Sequence, residues 1–413
     1  MCRVAPNGWA FSGEPSERSE RPERSERPER SEGRRVRCND EMDSSFHVNG
    51  IMVPTWFEFI AALKEESVEH PTTIAVDLAK SVFEIAVSKE PGRVCQRKRL
   101  TRSQMASFFA NRPPATVLME ACGTAHFWGR LLRGYGHRVL LLPAQHVCRY
   151  RLRDKTDAAD ALALLEAHRN EKIVPVPVKD LSQQAIASLH RIRSGWIATR
   201  TARLNTVRGL LRELGINIPL GAKLVLPRLS QALSDPEGLI PESLHPVLLQ
   251  AASEIRTLEQ NIKQVERQLE TLSRSLPAAL SLRSVPGIGL LTSTALIASV
   301  GDPSRFRSGR RLASSLGLVP REHSSGSSRH LGAITKRGDS YLRTLLTHGA
   351  RAVLWAAKHD KNPDTLRRWA LALQRRRGHN RAAIALANKL ARIAWAVWSK
   401  NTVYQPRTAE TVS

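Results

Sequence analysis

Four carboxylates in the first half of the chain, Asp77, Glu120, Asp157 and Asp160, stand where an α/β protein places chemistry. Asp77 ends the apolar run TIAV at 73–76, and Glu120 ends the run TVLM at 116–119. Asp157 and Asp160 lie in KTDAADA at 155–161, at the mouth of a helix, where i,i+3 spacing sets both on one face. Strand ends and helix mouths are where open α/β sheets bind and react. Carboxylates are the ligands that hard cations such as Mg²⁺ take. If the four converge, like charges repel by about 4 kcal/mol per pair at about 4 Å and an effective dielectric near 20. Only bound divalent metal readily offsets that. Two Mg²⁺ ions on such a cluster would bind a phosphate, activate an attacking oxygen and stabilise the leaving one. Each residue alone has an ordinary reading, as a turn cap, a strand-end surface group or a carboxylate favoured by a helix dipole. Together they point to a metal-dependent centre of nuclease type.

A sheet is needed to hold them. TIAVD at 73–77 reads as a strand and VFEIAV at 82–87 as a second, joined by a tight turn, with 94–100 as a third. A helix over 101–110 follows, with Thr101 or Ser103 as N-cap. Then come a fourth strand at 116–120, a helix at 125–133, a fifth strand at 139–142 stopped by Pro143, and a helix from Asp157 to about His168. The order β-β-β-α-β-α-β-α is ribonuclease-H-like, with the carboxylates on the first strand, the end of the fourth and the last helix.

Residues 181–214 read as a long basic helix ending at Gly215, and 219–246 as a loop punctuated by Pro and Gly. Ile255, Leu258, Ile262, Val265, Leu269, Leu272 and Leu276 are then spaced 3-4-3-4-3-4, with Leu248 one heptad before Ile255. This a/d seam fits packing on the 181–214 helix or a coiled coil between subunits, and both can hold at once. PGIG at 286–289 with TSTAL at 292–296 resembles a helix-hairpin-helix turn, in which Gly287, Gly289 and the next helix N-terminus offer backbone amides to phosphate. The plainer reading is a capping turn. Two helices close the chain at 341–358 and 381–400, the second with Ile384, Ala387, Ala391 and Trp395 on one face, and the arginine run 375–377 reads as a solvated stretch. SSGSS at 324–328 has a linker composition. Its neighbours Arg321, Arg329, Lys336 and Arg337, with Arg343 beyond, could contact nucleic acid and neutralise a phosphoryl transition state. The expected division is a tail at 1–51, an α/β domain at 72–175, a helical coiled-coil region at 178–280 and a mostly helical domain at 281–400.

The chain of 413 residues carries 63 Lys and Arg against 38 Asp and Glu, a net charge of +25 that suits a polyanionic partner. From Leu282 onward 23 basic residues face 6 acidic ones, so the last third alone holds a net +17. No apolar run approaches the ~18 residues needed to span a membrane. Five cysteines in no metal-like spacing argue against a disulfide framework and for a reducing cytoplasm. SERPER at 19–24 repeats at 25–30 and cannot bury a core, so the tail should be disordered. It reads as translated upstream DNA ahead of Met42 or Met52.

With these motifs in order, the chain resembles the DEDD transposases of bacterial insertion sequences, the IS110 family, and especially its IS1111 branch. The resemblance rests on VDLAK at 76–80, MEACG at 119–123, KTDAADA at 155–161, VPGIG at 285–289, LVPR at 318–321 with Ser325 before Gly326, and KRGD at 336–339. It implies a RuvC-like domain whose D-E-D-D set is Asp77, Glu120, Asp157 and Asp160. It also implies a C-terminal domain whose serine attacks DNA, a place that Ser325 occupies with Ser324 beside it. Members are similar in using a structured RNA of the element to choose DNA sites. The expected partners are therefore the element's DNA ends and target, a guide RNA, and further copies of the chain as a dimer or tetramer. The rival readings are a metal-dependent nuclease or junction resolvase, and a non-catalytic remnant that binds nucleic acid.

Overall fold

The structure, a computed structural model, describes residues 72–151 and 156–406. It also gives the backbone of a short antiparallel pair, His47–Val48 with Ile51–Met52. The rest of the expected tail lies outside the described residues. The chain divides into two compact units, Met1–Glu69 and His70–Ser413.

Strands β1 (Thr73–Leu78), β2 (Val82–Ser88), β3 (Gln96–Thr101), β4 (Thr116–Glu120) and β5 (Arg138–Leu142) form one sheet in the order β3-β2-β1-β4-β5. The β1–β2 and β2–β3 pairs are antiparallel, the β1–β4 and β4–β5 pairs parallel. Side chains alternate between faces along a strand, and that alternation sorts the sheet into two cores. Ile74, Val76, Val117 and Met119 pack on one face beneath α1 (Arg102–Ala110) and α2 (Ala125–Gly134). Ala75 and Leu118 turn to the other face and meet Ala161, Ala163 and Leu164 of α4 (Asp157–His168). Small residues on both sides let α4 lie close against the sheet. Thr101 caps α1 in a reciprocal box with Gln104. His137 ties α1 to the sheet edge, accepting from the Ala115 amide at Nδ1 and donating from Nε2 to the Phe109 carbonyl. A single turn of helix, α3 (Ala144–Val147), follows Pro143 where the sequence had suggested only a strand stop.

The long helix α5 (Leu181–Glu213) runs antiparallel to α7 (His245–Arg274). Their ion pairs Arg193–Glu266, Arg200–Glu259 and Arg203–Glu254 descend along α7 as they climb α5. Leu248, Ile255, Leu258, Ile262, Val265 and Leu269 are all buried within this one chain. The intramolecular arrangement thus accounts for the seam. Leu276, counted in it from the sequence, lies past the helix end with extended backbone, because the residue before Pro277 is excluded from the helical region. The stretch read as loop at 219–246 contains α6 (Val225–Leu233), whose Val225 and Leu229 cover Leu204, Val207 and Leu211 at the far end of the pair.

Next come α8 (Pro277–Arg283) and α9 (Leu290–Val300) around the PGIG turn, α10 (Gly309–Ser315), a hairpin of β6 (Pro320–Glu322) and β7 (Leu331–Ile334), then α11 (Ser340–His359), α12 (Thr365–Arg377) and α13 (His379–Ser399). The face of α13 that packs is Ala382, Ala383, Leu386, Ala387, Leu390, Ala391 and Ala394. That is turned from the expected stripe, since Ile384 and Trp395 are only partly buried, Trp395 donating from Nε1 to the Pro303 carbonyl. The run Arg375–Arg377 is the last turn of α12, where cations suit the negative helix end. Among the described residues no helix is long and apolar enough to cross a membrane.

Candidate active site

Within the β1–β4 pair the register ends at Val76 and Met119, and Asp77 and Glu120 each follow by one residue, still paired with Glu84 of β2 and Leu142 of β5 on their other sides. Asp77 shares its alternation with Ala75, and Glu120 shares its own with Leu118, so both carboxylates fall on the face that α4 covers. The mouth of α4 brings the other two. Thr156 caps it by accepting from the Ala159 amide, and Asp157 and Asp160 fill the first turn. The convergence is legible in the chemistry of Asp77. Burial first, then the charges of Asp160, Asp157 and Glu120, push its carboxyl up from 3.8 to about 6, against a hydrogen bond from the Leu78 amide that pulls it down.

The four do not close into a cage. Among the described residues no group of three or more His, Cys, Asp or Glu lies close enough together to hold a metal ion. Two of the carboxylates are paired with arginines. Arg151 binds Asp160 through Nε, with both side chains largely buried, and Arg99 sits 3.7 Å from Asp157 at an exposed position. Metal is therefore not the only charge available to offset the repulsion, since arginine charge does part of it. Arg151 follows the turn Cys148–Tyr150, which the bond from Asn170 Nδ2 to the Tyr150 hydroxyl fixes against the end of α4. No spacing rule in the sequence singled out Arg99 or Arg151.

Ser325 sits at the tip of the β6–β7 hairpin. It exchanges both backbone hydrogen bonds with Ser328. Gly326 has φ +55 while Ser327 does not share the positive φ, the pattern of a type II′ turn with glycine first. The linker composition is therefore an ordered turn. Ser324 Oγ donates to Glu322 Oε1, which also takes Arg329 Nε, and these bonds hold the Glu322 carboxyl below its usual range. Ser325 Oγ has no hydrogen-bond partner among the described residues.

The other candidate contacts divide. Arg321 is exposed without an ion-pair partner among the described residues, whereas Arg329 is paired with Glu322. Arg343 donates to the carbonyls of Leu316 and Arg337, so it anchors the KRGD segment and does not reach outward. Lys336 has φ +54, and its amide bonds to the Gly317 carbonyl. The charge of Arg337 reaches His146 of α3, where it adds to burial and Arg149 in lowering the imidazole pKa. The KRGD segment thus approaches the connection that leads into α4. Gly287 of the PGIG turn has φ +80, and a Cβ there would stand 2.7 Å from the Gly349 carbonyl of α11. Its first duty is close packing; Gly289, extended, caps α9.

A second buried polar group went unnoticed in the sequence. His190 of α5 meets the Tyr341 hydroxyl at Nδ1 and Thr294 Oγ1 at Nε2, each at 2.9 Å. Thr294 Oγ1 donates to the Leu290 carbonyl, so it accepts from Nε2–H, and Nδ1 accepts from Tyr341. Burial, then Arg193, lowers the imidazole to about 4, and it stays neutral while joining α5, α9 and α11.

Residues 279–364 match the model of the Transposase IS116/IS110/IS902 family, and residues 74–216 match a DEDD transposase model of the IS110 type. The chain is 44% identical over 335 residues to a probable family 20 transposase of Pseudomonas aeruginosa, covering 81% of this chain and 98% of the relative. The chain belongs to this transposase family. It is also 38% identical to the transposase for insertion sequence element IS1111A of Coxiella burnetii, over 83% of this chain and 93% of that protein. A pilin gene-inverting protein of Moraxella bovis is 32% identical over 161 residues, 38% of this chain and 49% of its own. The family named from the motifs is thereby confirmed.

Proposed function

We propose that this IS110-family transposase cuts and rejoins insertion-sequence DNA with its four-carboxylate centre and Ser325. The observation that carries the reading is the carboxyl of Asp77, raised to about 6 in part by Asp160, Asp157 and Glu120 together. A field shared by four carboxylates on strand ends and a helix mouth is a disposition for cationic ligands, and the oxygen donors suit Mg²⁺. Asp77, Glu120, Asp157 and Asp160 would hold it, Asp160 by leaving Arg151. Such ions, when bound, neutralise the phosphate and activate an oxygen nucleophile.

In the proposed reaction Ser325 Oγ attacks a strand phosphorus. The Oγ–P bond forms as a P–O bond to one sugar breaks, and the serine proton is balanced on the released sugar hydroxyl. A hydroxyl from another end then attacks the phosphoserine and returns the proton to Ser325. One phosphodiester replaces another, so no outside energy source is required. The unpartnered hydroxyl favours Ser325 over Ser324, whose Oγ is held by Glu322. The name of the Moraxella relative, an inverting protein, agrees with exchange of strands over simple cutting. An RNA from the element chooses the sites by base pairing, and the chain's net charge of +25 attracts its phosphates. Several copies assemble on the two element ends.

The test is incubation with the element's ends, its flanking noncoding RNA and Mg²⁺. Wild type should yield rejoined products and a denaturation-resistant protein–DNA adduct; Ser325→Ala should bind DNA and yield neither, while Ser324→Ala stays active. Strand cutting by Ser325→Ala at the wild-type rate would leave a resolvase-type nuclease. Full recombination by RNA-free protein would remove guidance alone.

A further inference from the structure

The base of the β6–β7 hairpin and α13 wall a groove of about 870 Å³. Leu318, Leu331, Ile334 and Ile384 give it an apolar lining, and Trp369 of α12 stands at its side. Leu331 is 54% and Trp369 37% exposed, so both present apolar surface to the groove. Arg381, Lys389 and Arg392 also line the groove, which has no acidic lining residue. None of the three has an ion-pair partner among the described residues. Lys389 Nζ instead lies 4.2 Å from the Trp369 ring centroid. Asn388 Nδ2 donates to the Leu318 carbonyl and fixes the two walls together.

An apolar cleft with an accessible indole suits a flat hydrophobic group, and three uncompensated cations suit an anion beside it. An unpaired nucleotide carries both, with the base stacked on the ring and phosphates on the cations. A peptide of matching acidity would use the cations and leave the ring without a stacking partner. We propose that this groove holds an unpaired stretch of the DNA strand adjoining the hairpin tip. The choice of DNA rests on the reading of Ser325. Pro320, which lines the groove, lies five residues from Ser325, roughly 16 Å along an extended strand. A base entering the groove displaces Lys389 Nζ from the ring toward the adjacent phosphate, so the lysine exchanges one favourable contact for another.

Equilibrium binding of fluorescent oligodeoxythymidine to the full chain tests this, with an abasic deoxy strand of equal length and oligouridine as comparisons. Trp369→Ala should weaken oligodeoxythymidine roughly 5- to 150-fold, the stacking range for one base, and leave the abasic strand unchanged. Trp369→Phe should keep most of the affinity, and Lys389→Gln should lower the log–log salt slope by about 0.7. Ser325→Ala should bind as wild type, so a failure of the strand chemistry and a failure of the groove are told apart. Equal losses on both deoxy strands, or none, would overturn the proposal. Tighter, Trp369-dependent binding of oligouridine would reassign the groove to RNA. A fall in particle mass with unchanged strand affinity would assign it to a second copy. Photocrosslinking of an iodouracil deoxy strand to wild-type protein decides independently of any variant: adducts on the Trp369 peptide support the groove, and adducts only elsewhere refute it.

Discussion

Replacing Asp77 with Asn should stabilise the protein at pH 7.5 while removing its response to Mg²⁺. The carboxyl is raised from 3.8 to about 6. Two pKa units correspond to about 3 kcal/mol at 1.36 kcal/mol per unit. Asp77 is only half-buried, so solvent screening reduces this to about 1–2 kcal/mol. The direction follows from proton uptake. Between pH 3.8 and 6 the folded state binds more protons than the unfolded, so stability falls as pH rises through that window. Above it the ionised carboxylate destabilises the fold in full, and below it the penalty is gone. Asp77→Asn should therefore melt on the order of 2–4 °C above wild type at pH 7.5 without metal, and the gap should close toward pH 4. Titrating groups remote from the four carboxylates cancel in the difference between the two proteins, while Asp160, Asp157 and Glu120, which share the field, are part of it. Adding Mg²⁺ should raise the wild-type melting temperature, by an amount set by its concentration relative to Kd, and leave Asp77→Asn unmoved. Scanning calorimetry across pH, with and without Mg²⁺, reads all of this. A gap independent of pH, or an Asp77→Asn protein less stable than wild type at pH 7.5, would refute the idea that the four carboxylates share a field.

His190 titrates in the opposite sense. Its folded-state value near 4 lies below the ordinary 6.5, so stability should fall as pH drops from 6.5 through 4, by up to about 3 kcal/mol, and His190→Gln should flatten that decline in chemical denaturation. Gly349→Ala puts a Cβ 2.0 Å from the Gly287 carbonyl and should destabilise by roughly 2–3 kcal/mol by calorimetry, while Gly378→Ala, with nothing within 4 Å, should lose less and only through its φ of +82. Leu269, fully buried within one chain, should lose roughly 2–5 kcal/mol on change to Ala, with the particle mass in light scattering unaltered.

The α/β part was legible because its signals are local. Apolar runs ending in Asp77 and Glu120, Pro143 after the fifth strand and Thr156 before Asp157 each mark an element end without help from distant residues. The elements missed were the helices α3, α6, α8, α10 and α12 and the strands β6 and β7. Each is short or rich in turn and basic residues, so tertiary packing, as of Val225 and Leu229 on Leu211, holds what propensity does not announce. The stripe on α13 was misplaced because alanines at Ala382, Ala383 and Ala394 pack as fully as larger residues when helices approach closely. At the site, the sequence located the carboxylates and missed Arg151 and Arg99, since an arginine among many in a basic chain carries no mark of its partner. The seam was equally readable as internal or between chains; only the partner helix α5 distinguishes them.

The antiparallel pair α5–α7 has a mechanical consequence. From Ile186, packed with Leu269 and Ala298 at its root, to Leu211 at its tip is twenty-five residues, about 38 Å at 1.5 Å per residue. It is a lever arm, so a rotation of a few degrees at the root sweeps its tip through several ångströms. Its length is also quantised. Adding one residue to α5 turns everything beyond by about 100° and strips Arg200 and Arg203 of Glu259 and Glu254. Seven residues added to both helices restore the phase of the seam and extend the reach by about 10 Å. Such a paired insertion should fold, a single one should not, and change in this arm is therefore confined to steps of whole heptads.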